Sequence, residues 1–255
     1  MPAASLHCDL TGAGRSLVLL HPVGLDNTFW GPLVEAASRS HRLMNVDLRG
    51  HGRSPPAQEG MAVDHYADDV HAAIAHHRMA PAVVLGLSFG GMVAQSLAVR
   101  HPGDVAALLL CACPSAIPED SRPIVRERGR AAQREGMAAV VEPTVERWFN
   151  RDFRSGPAAD RVRERLRRNR PDDFAAAWHA IAEFDCRSGL ESIAVPTLVV
   201  AGEHDAATPL AASEALAAAI RDATIEVIGG APHMMQIECA DRFCAVVGAF
   251  LEHRG

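Results

Sequence analysis

A serine flanked by glycines two residues away on each side is the sequence feature that points most directly to chemistry. The segment GLSFGG places Ser88 between Gly86 and Gly90. The apolar run 82–87 predicts a buried strand and the segment 90–100 predicts a helix, so Ser88 falls at a strand-to-helix turn. Such a turn strains the serine backbone and projects its hydroxyl above the sheet, and small neighbours avoid collisions there. The pattern G-x-S-x-G therefore predicts a nucleophilic serine.

A neutral serine needs a general base, and that base needs an acid to orient it. His233 lies in the segment GGAPHMMQIE, and Asp205 follows the apolar run TLVVA at 197–201. Both are in loops after predicted strands, where open α/β sheets place their sites. Glu203 competes with Asp205, which we prefer because it stands just before the Thr-Pro pair that starts the next helix. The alternatives are a loop histidine without a role and an acid that only caps a helix.

Two backbone amides are candidates for stabilising the oxyanion that forms when a serine attacks a carbonyl. The first is the amide of Phe89, directly after the candidate nucleophile. The second belongs to the loop HPVG that follows the apolar run 16–20. Because Pro22 has no N–H, we expect Val23 to be the donor, with Gly24 letting the chain turn close to the substrate.

Strand-like and helix-like segments alternate along the chain, which predicts an α/β fold with a doubly wound, mostly parallel sheet. The predicted strands are 16–20, 43–46, 82–87, 106–113, 197–201 and 224–228. The predicted helices lie near 63–78, 90–100, 209–220 and 239–252.

The alternation stops in the middle of the chain, which predicts a helical insertion. We expect residues 116–189 to form a cap, or lid, on a core domain made of residues 1–115 and 190–255. The segment 121–170 holds 14 arginines and 7 acidic residues, although the whole chain has a net charge of −6. Two interpretations stay open: a solvated helical face, or a positive lid above a pocket for an acidic substrate.

Five segments together resemble the α/β-hydrolase superfamily over almost the whole chain. They are LLHPVG, DLRGHGRS, GLSFGGMVAQ, VPTLVVAGEHDAATP and PHMMQIE. Within the superfamily the chain looks most like the 3-oxoadipate enol-lactonases, through GLSFGGMVAQ, ERWF at 146–149 and AGEHDAATP. The resemblance implies the α/β-hydrolase fold with a lid, a catalytic triad of Ser88, His233 and Asp205, and opening of a small carboxylated enol-lactone through an acyl-enzyme.

Two residues of the ERWF segment are candidates for binding the substrate. The resemblance implies that Trp148 lines the pocket, and the alternative is that it only packs the lid on the core. Arg147 can pair with a substrate carboxylate, for which a guanidinium fork is well shaped, or it can be exposed to solvent.

Other reactions and one non-enzymatic function remain open at this point. The segment PHMMQIE also resembles esterases and C–C bond hydrolases of the same fold, which keep the triad but change the substrate. A non-catalytic small-molecule receptor is a further alternative, since such proteins can retain a triad.

Composition argues against several other classes of protein. The net charge of −6 disfavours nucleic acid as a partner. No apolar run is long enough to span a bilayer, and the N-terminus lacks the pattern of a secretory signal, so we expect a cytoplasmic protein without a membrane partner. The six cysteines form no CxxC pair, and we expect neither a metal nor a cofactor. The expected partner is a small ester or lactone, with an acidic substrate as one option, and the oligomeric state stays open.

Overall fold

The computed structural model describes residues 1–254 and contains one seven-stranded sheet. The strands are β1 (Cys8–Thr11), β2 (Arg15–Leu20), β3 (His41–Val46), β4 (Ala82–Leu87), β5 (Val105–Cys111), β6 (Thr197–Gly202) and β7 (Ala223–Ile228). Their order across the sheet is β1-β3-β2-β4-β5-β6-β7. Strand β1 pairs with β3 in antiparallel orientation, and all the other neighbouring pairs are parallel.

Ten α-helices connect or flank these strands within residues 1–254. They are α1 (Gly31–Ala37), α2 (Val63–His77), α3 (Phe89–Arg100), α4 (Arg122–Glu135), α5 (Met137–Trp148), α6 (Pro157–Arg167), α7 (Pro171–Ala182), α8 (Leu210–Ala219), α9 (Met235–Glu238) and α10 (Ala240–Arg254). No helix among these described residues is both long and apolar enough to cross a membrane.

The central strands explain why the doubly wound sheet was predictable. Every residue of β4 and of β6 is buried, which requires cover on both faces of the sheet and accounts for their continuous apolar sequences. Helices α2 and α3 pack on each other, as do α1 and α10. The predicted mostly parallel α/β fold is therefore confirmed.

Two elements of the fold, strand β1 and helix α1, were not predicted from the sequence. Strand β1 is an edge strand with mostly exposed side chains, so its sequence CDLT carries no continuous apolar run. It is fixed by pairing with β3, a contact between distant parts of the chain. Helix α1 was likewise not predicted, since only Leu33 and Ala37 of its seven residues are buried.

Helices α4 to α7 lie between β5 and β6, in the segment where the sequence predicted a helical insertion. We call the chain between these two strands the insertion. Helix α4 packs closely on α7, because Gly129 has no side chain: a Cβ there would lie 2.8 Å from the Cα of Ala175. This close approach sets the side of α4 that faces the core domain.

Candidate active site

Ser88 stands between β4 and α3 in a strained conformation. Its φ of 54° and ψ of −114° are rare for a residue with a side chain. The Ser88 N–H donates a hydrogen bond to the Cys111 carbonyl at 2.8 Å. A Cβ at Gly86 would lie 2.1 Å from the Gly90 carbonyl oxygen, and one at Gly90 would lie 2.0 Å from the Leu20 carbonyl oxygen. Both glycines of the G-x-S-x-G pattern are therefore required by backbone contacts.

His233 and Asp205 form a buried hydrogen-bonded pair. The distance from His233 Nδ1 to Asp205 Oδ2 is 2.8 Å, and their side chains are only 2% and 1% exposed. The other oxygen, Asp205 Oδ1, accepts the backbone N–H groups of Ala207 and Thr208, each at 2.8 Å. A carboxylate partner places the His233 proton on Nδ1 and leaves Nε2 available as a base.

The competing acid, Glu203, lies elsewhere. Its Oε2 accepts the Gly230 N–H at 2.7 Å, and its side chain is 57% exposed. Of the two acids considered from the sequence, Asp205 is the one in contact with the His233 ring.

One cavity of about 380 Å³ brings these groups together, and we call it the Ser88 cavity. Ser88, His233, Val23 and Trp148 all line it. The Ser88 hydroxyl and the His233 ring make no direct hydrogen bond within the described residues. Such contacts are often long without substrate and shorten when it binds. Within the same residues, no group of three or more His, Cys, Asp or Glu side chains is placed to hold a metal ion.

The two predicted amide donors border the same region. Phe89 is the first residue of α3, so no helical carbonyl is available to its N–H. Val23 is buried in the loop after β2 and lines the Ser88 cavity. Since a Cβ at Gly90 would also lie 2.9 Å from the His21 carbonyl oxygen, the start of α3 and this loop are in direct contact.

His21 supports this loop and was not singled out from the sequence. Its Nδ1 donates to the Pro22 carbonyl at 2.8 Å, and its Nε2 accepts the Leu48 N–H at 2.9 Å. Burial lowers the pKa of His21 to about 4, so the ring is neutral near pH 7, as these two bonds require. The feature of the sequence that could have identified His21 is its position directly before Pro22 in the predicted oxyanion loop.

The insertion also contacts the loop after β2 that carries Val23. Asn169 Nδ2 donates to the Gly24 carbonyl at 2.8 Å, and Arg165 Nε lies 2.5 Å from Asp26 Oδ2. Gly24 has a φ of 75°, and a Cβ on it would lie 2.8 Å from the Leu166 side chain. The loop that carries Val23 is therefore fixed by the insertion as well as by the core.

Trp148 contributes to the site in two ways. Its ring lines the Ser88 cavity, with its centroid 6.3 Å from that of the His233 ring. Its carbonyl accepts the N–H of Met234, the residue after His233, at 3.1 Å. Both sequence interpretations of Trp148, as pocket wall and as packing between insertion and core, describe its position.

Arg147 lies beside the Ser88 cavity and does not line it. It lines a surface pocket of about 580 Å³ between α4 and α5, which we call the insertion pocket. Arg128 of α4, which was not identified from the sequence, lines both the insertion pocket and the Ser88 cavity. The one local signal for Arg128 is the adjacent Gly129, whose missing side chain brings α4 onto α7.

Comparison with known proteins agrees with this fold. Residues 17–246 match the model of the alpha/beta hydrolase family, and the chain belongs to that family.

Among relatives, the chain is 28% identical to 3-oxoadipate enol-lactonase 1 of Acinetobacter baylyi, over 93% of this chain and 88% of that protein. It is 29% identical to a pimeloyl-[acyl-carrier protein] methyl ester esterase of Chromobacterium violaceum, over 97% and 98% respectively. Among solved structures, an enol-lactonase from Burkholderia xenovorans LB400 is similar with a TM-score of 0.93 and 31% identity, covering 97% of this chain and 96% of that one. Lactonase and esterase relatives thus stand at similar identity.

Proposed function

We propose that this protein is a serine hydrolase that opens a small carboxylated enol-lactone through an acyl-enzyme. The observation that carries the proposal is the buried His233–Asp205 hydrogen bond, formed at the cavity that the strained Ser88 also lines. The enol-lactonase relatives and the similar enol-lactonase structure support the choice of substrate.

The proposed reaction begins with proton transfer from the Ser88 hydroxyl to His233 Nε2 as the serine oxygen attacks the ring carbonyl. The Phe89 and Val23 amides would hold the oxyanion, and loss of one such donor costs about 10²–10³ in rate. Collapse of the tetrahedral intermediate breaks the ring C–O bond, with His233 returning the proton to the enol oxygen. Water activated by His233 then releases the acid, while Asp205 keeps the imidazole oriented.

A carboxylesterase is the second candidate. The methyl ester esterase relative, at 29% identity over nearly the whole chain, favours it. The same triad and oxyanion donors serve both reactions, so the two candidates differ in the substrate and not in the catalytic groups.

Kinetics on matched substrates distinguish these candidates. We expect the purified protein to open a carboxylated enol-lactone with a higher kcat/KM than a simple aryl ester. Faster turnover of the aryl ester would favour the carboxylesterase and contradict the lactonase.

Labelling with a fluorophosphonate probe tests the nucleophile directly. The wild type should be labelled, and Ser88→Ala and His233→Ala should not be. Ser192→Ala is the matched control, because Ser192 is an exposed serine outside the Ser88 cavity. Absence of labelling in the wild type would contradict hydrolysis and favour a receptor.

A further inference from the structure

Most arginines of the segment 121–170 are paired with carboxylates. Eight of the fourteen form salt bridges: Arg122 and Arg126 with Glu183, Arg134 with Glu127 and Glu135, Arg163 with Glu142 and Asp160, Arg165 with Asp26, Arg167 with Glu142, Arg168 with Glu164, and Arg170 with Asp173. These carboxylates neutralise the arginines beside them, so most of the positive charge of the segment is not free for a substrate. The pair of Arg165 and Asp26, with side chains only 13% exposed, also holds the loop that carries Val23.

Three of the remaining arginines converge on one place. Arg128, Arg130 and Arg147 all line the insertion pocket, and none of them has a carboxylate partner within the described residues. Arg128 is the one of the three that also lines the Ser88 cavity. Its side chain therefore forms part of the wall between the pocket and the cavity.

The Arg128 guanidinium is held in place by an aromatic ring rather than by hydrogen bonds. Its Cζ lies 4.9 Å from the centroid of the Trp178 ring, which also lines the Ser88 cavity. Its Nε is buried and has no hydrogen-bond partner. A guanidinium stacked on a ring keeps its in-plane N–H groups free, and these match the two oxygens of a carboxylate.

The surroundings of Arg128 favour an anion. Burial, followed by the charge of Arg147, lowers the pKa of Arg128 to about 10. The guanidinium remains a cation near neutral pH, in a partly buried site without a carboxylate to neutralise it. An anion bound beside Arg128 would offset both the cost of burying this charge and its repulsion by Arg147.

We propose that Arg128 binds the carboxylate of the substrate inside the Ser88 cavity, and that Arg147 strengthens this binding as a neighbouring positive charge. This inference rests on the proposed hydrolase function and extends it. It assigns the direct contact to Arg128, whereas the sequence offered Arg147 as a candidate for this contact or as a solvent-exposed residue. The preferred substrates are esters or lactones with a free carboxylate at the end of the acyl chain away from the reacting carbonyl.

Two esters that differ only at one end test this assignment: 4-nitrophenyl hydrogen adipate, which carries a free carboxylate, and 4-nitrophenyl hexanoate, which ends in a methyl group. For Arg128→Met we expect kcat/KM for the acidic ester to fall about 30-fold, mainly through KM, because a charge-assisted hydrogen bond is lost. For the neutral ester we expect a change of less than about threefold, because methionine keeps most of the apolar stem.

Further variants separate binding from folding. Arg128→Lys should recover part of the loss, since lysine keeps the charge without the fork. Arg147→Met should give a smaller loss, confined to the acidic ester. Arg151→Met is the matched control, because Arg151 is exposed and lines neither cavity. An equal loss on both esters for Arg128→Met, or no loss on either, would overturn the assignment.

Calorimetry with adipate keeps this test independent of turnover. Ser88→Ala should bind adipate, and the double variant with Arg128→Met should bind it at least tenfold more weakly. Unchanged binding in the double variant refutes the role of Arg128 even if the enzyme is a hydrolase. A wild type that hydrolyses neither ester, yet binds adipate through Arg128, refutes the proposed function and retains the anion site.

Discussion

Replacing Asn169 by alanine tests whether the insertion sets the position of the oxyanion loop. The side chain of Asn169 is buried, and its Nδ2 donates to the Gly24 carbonyl at 2.8 Å, one residue from the Val23 amide. The substitution removes this donor and leaves the Val23 and Phe89 amides unaltered. It therefore loosens the loop without deleting a proposed oxyanion donor.

The expected magnitude follows from two limits. Leaving a buried carbonyl without its hydrogen-bond donor costs about 1–3 kcal/mol of free energy. Complete loss of an oxyanion donor lowers kcat by about 10²–10³. The loop keeps two other restraints, the His21 bond to the Pro22 carbonyl and the Arg165 contact with Asp26. We expect kcat to fall about tenfold, which corresponds to about 1.4 kcal/mol, with KM changed less than about twofold.

Steady-state kinetics on 4-nitrophenyl hexanoate measure this effect, and the affinity of a boronic acid inhibitor gives a second readout. Inhibitor affinity should fall in parallel with kcat/KM, because the boronate anion mimics the oxyanion. Gln133→Ala is the control: it removes an exposed amide of the insertion that bonds to Asp172. If Asn169→Ala lowers the melting temperature but leaves kcat and inhibitor affinity unchanged, Asn169 is a packing residue and the reasoning fails.

Two further predictions concern stability. Gly90→Ala should prevent native folding or strongly lower the melting temperature, because the new Cβ would lie 2.0 Å from the Leu20 carbonyl oxygen. Gly103→Ala is the control and should change the melting temperature little, because a Cβ at Gly103 has nothing within 4 Å. Similar melting temperatures for the two variants would contradict the steric role of Gly90. Burial lowers the pKa of His21 to about 4 and that of His51 to about 3, so each contributes stability above pH 6.5 that is lost as the pH falls toward these values. Urea unfolding at pH 7.5 and 4.5 should show that the free energy of unfolding falls by on the order of 2 kcal/mol per histidine at the lower pH. His51→Asn should make the free energy of unfolding depend less steeply on pH. An unchanged dependence on pH would refute the role of His51 in acid destabilisation.

Local sequence patterns predicted the parts of the site that depend on local backbone geometry. The turn at Ser88 follows from two glycines and a buried strand, and Asp205 and His233 follow from their places after strands. Both glycine positions are explained by contacts with backbone oxygens, so this pattern has a direct steric cause. The catalytic roles of these residues stay predictions until the labelling and kinetic tests are made.

The groups that the sequence did not reveal depend on contacts between distant segments. Arg128 reaches the Ser88 cavity because α4 crosses α7 at Gly129, and no local pattern distinguishes it from the other arginines of its segment. Asn169 lies 145 positions from Gly24 along the chain, so nothing near either residue indicates their hydrogen bond. The antiparallel strand β1 was missed for the same reason.

The insertion contacts both loops on which the proposed chemistry depends. Asn169 holds the Gly24 carbonyl beside Val23, and the Trp148 carbonyl accepts the N–H of the residue after His233. Lifting the whole insertion would break both hydrogen bonds and would disturb the oxyanion loop and the general base together. We therefore expect access to the Ser88 cavity to change through smaller movements at its wall, where Arg128 separates the cavity from the insertion pocket.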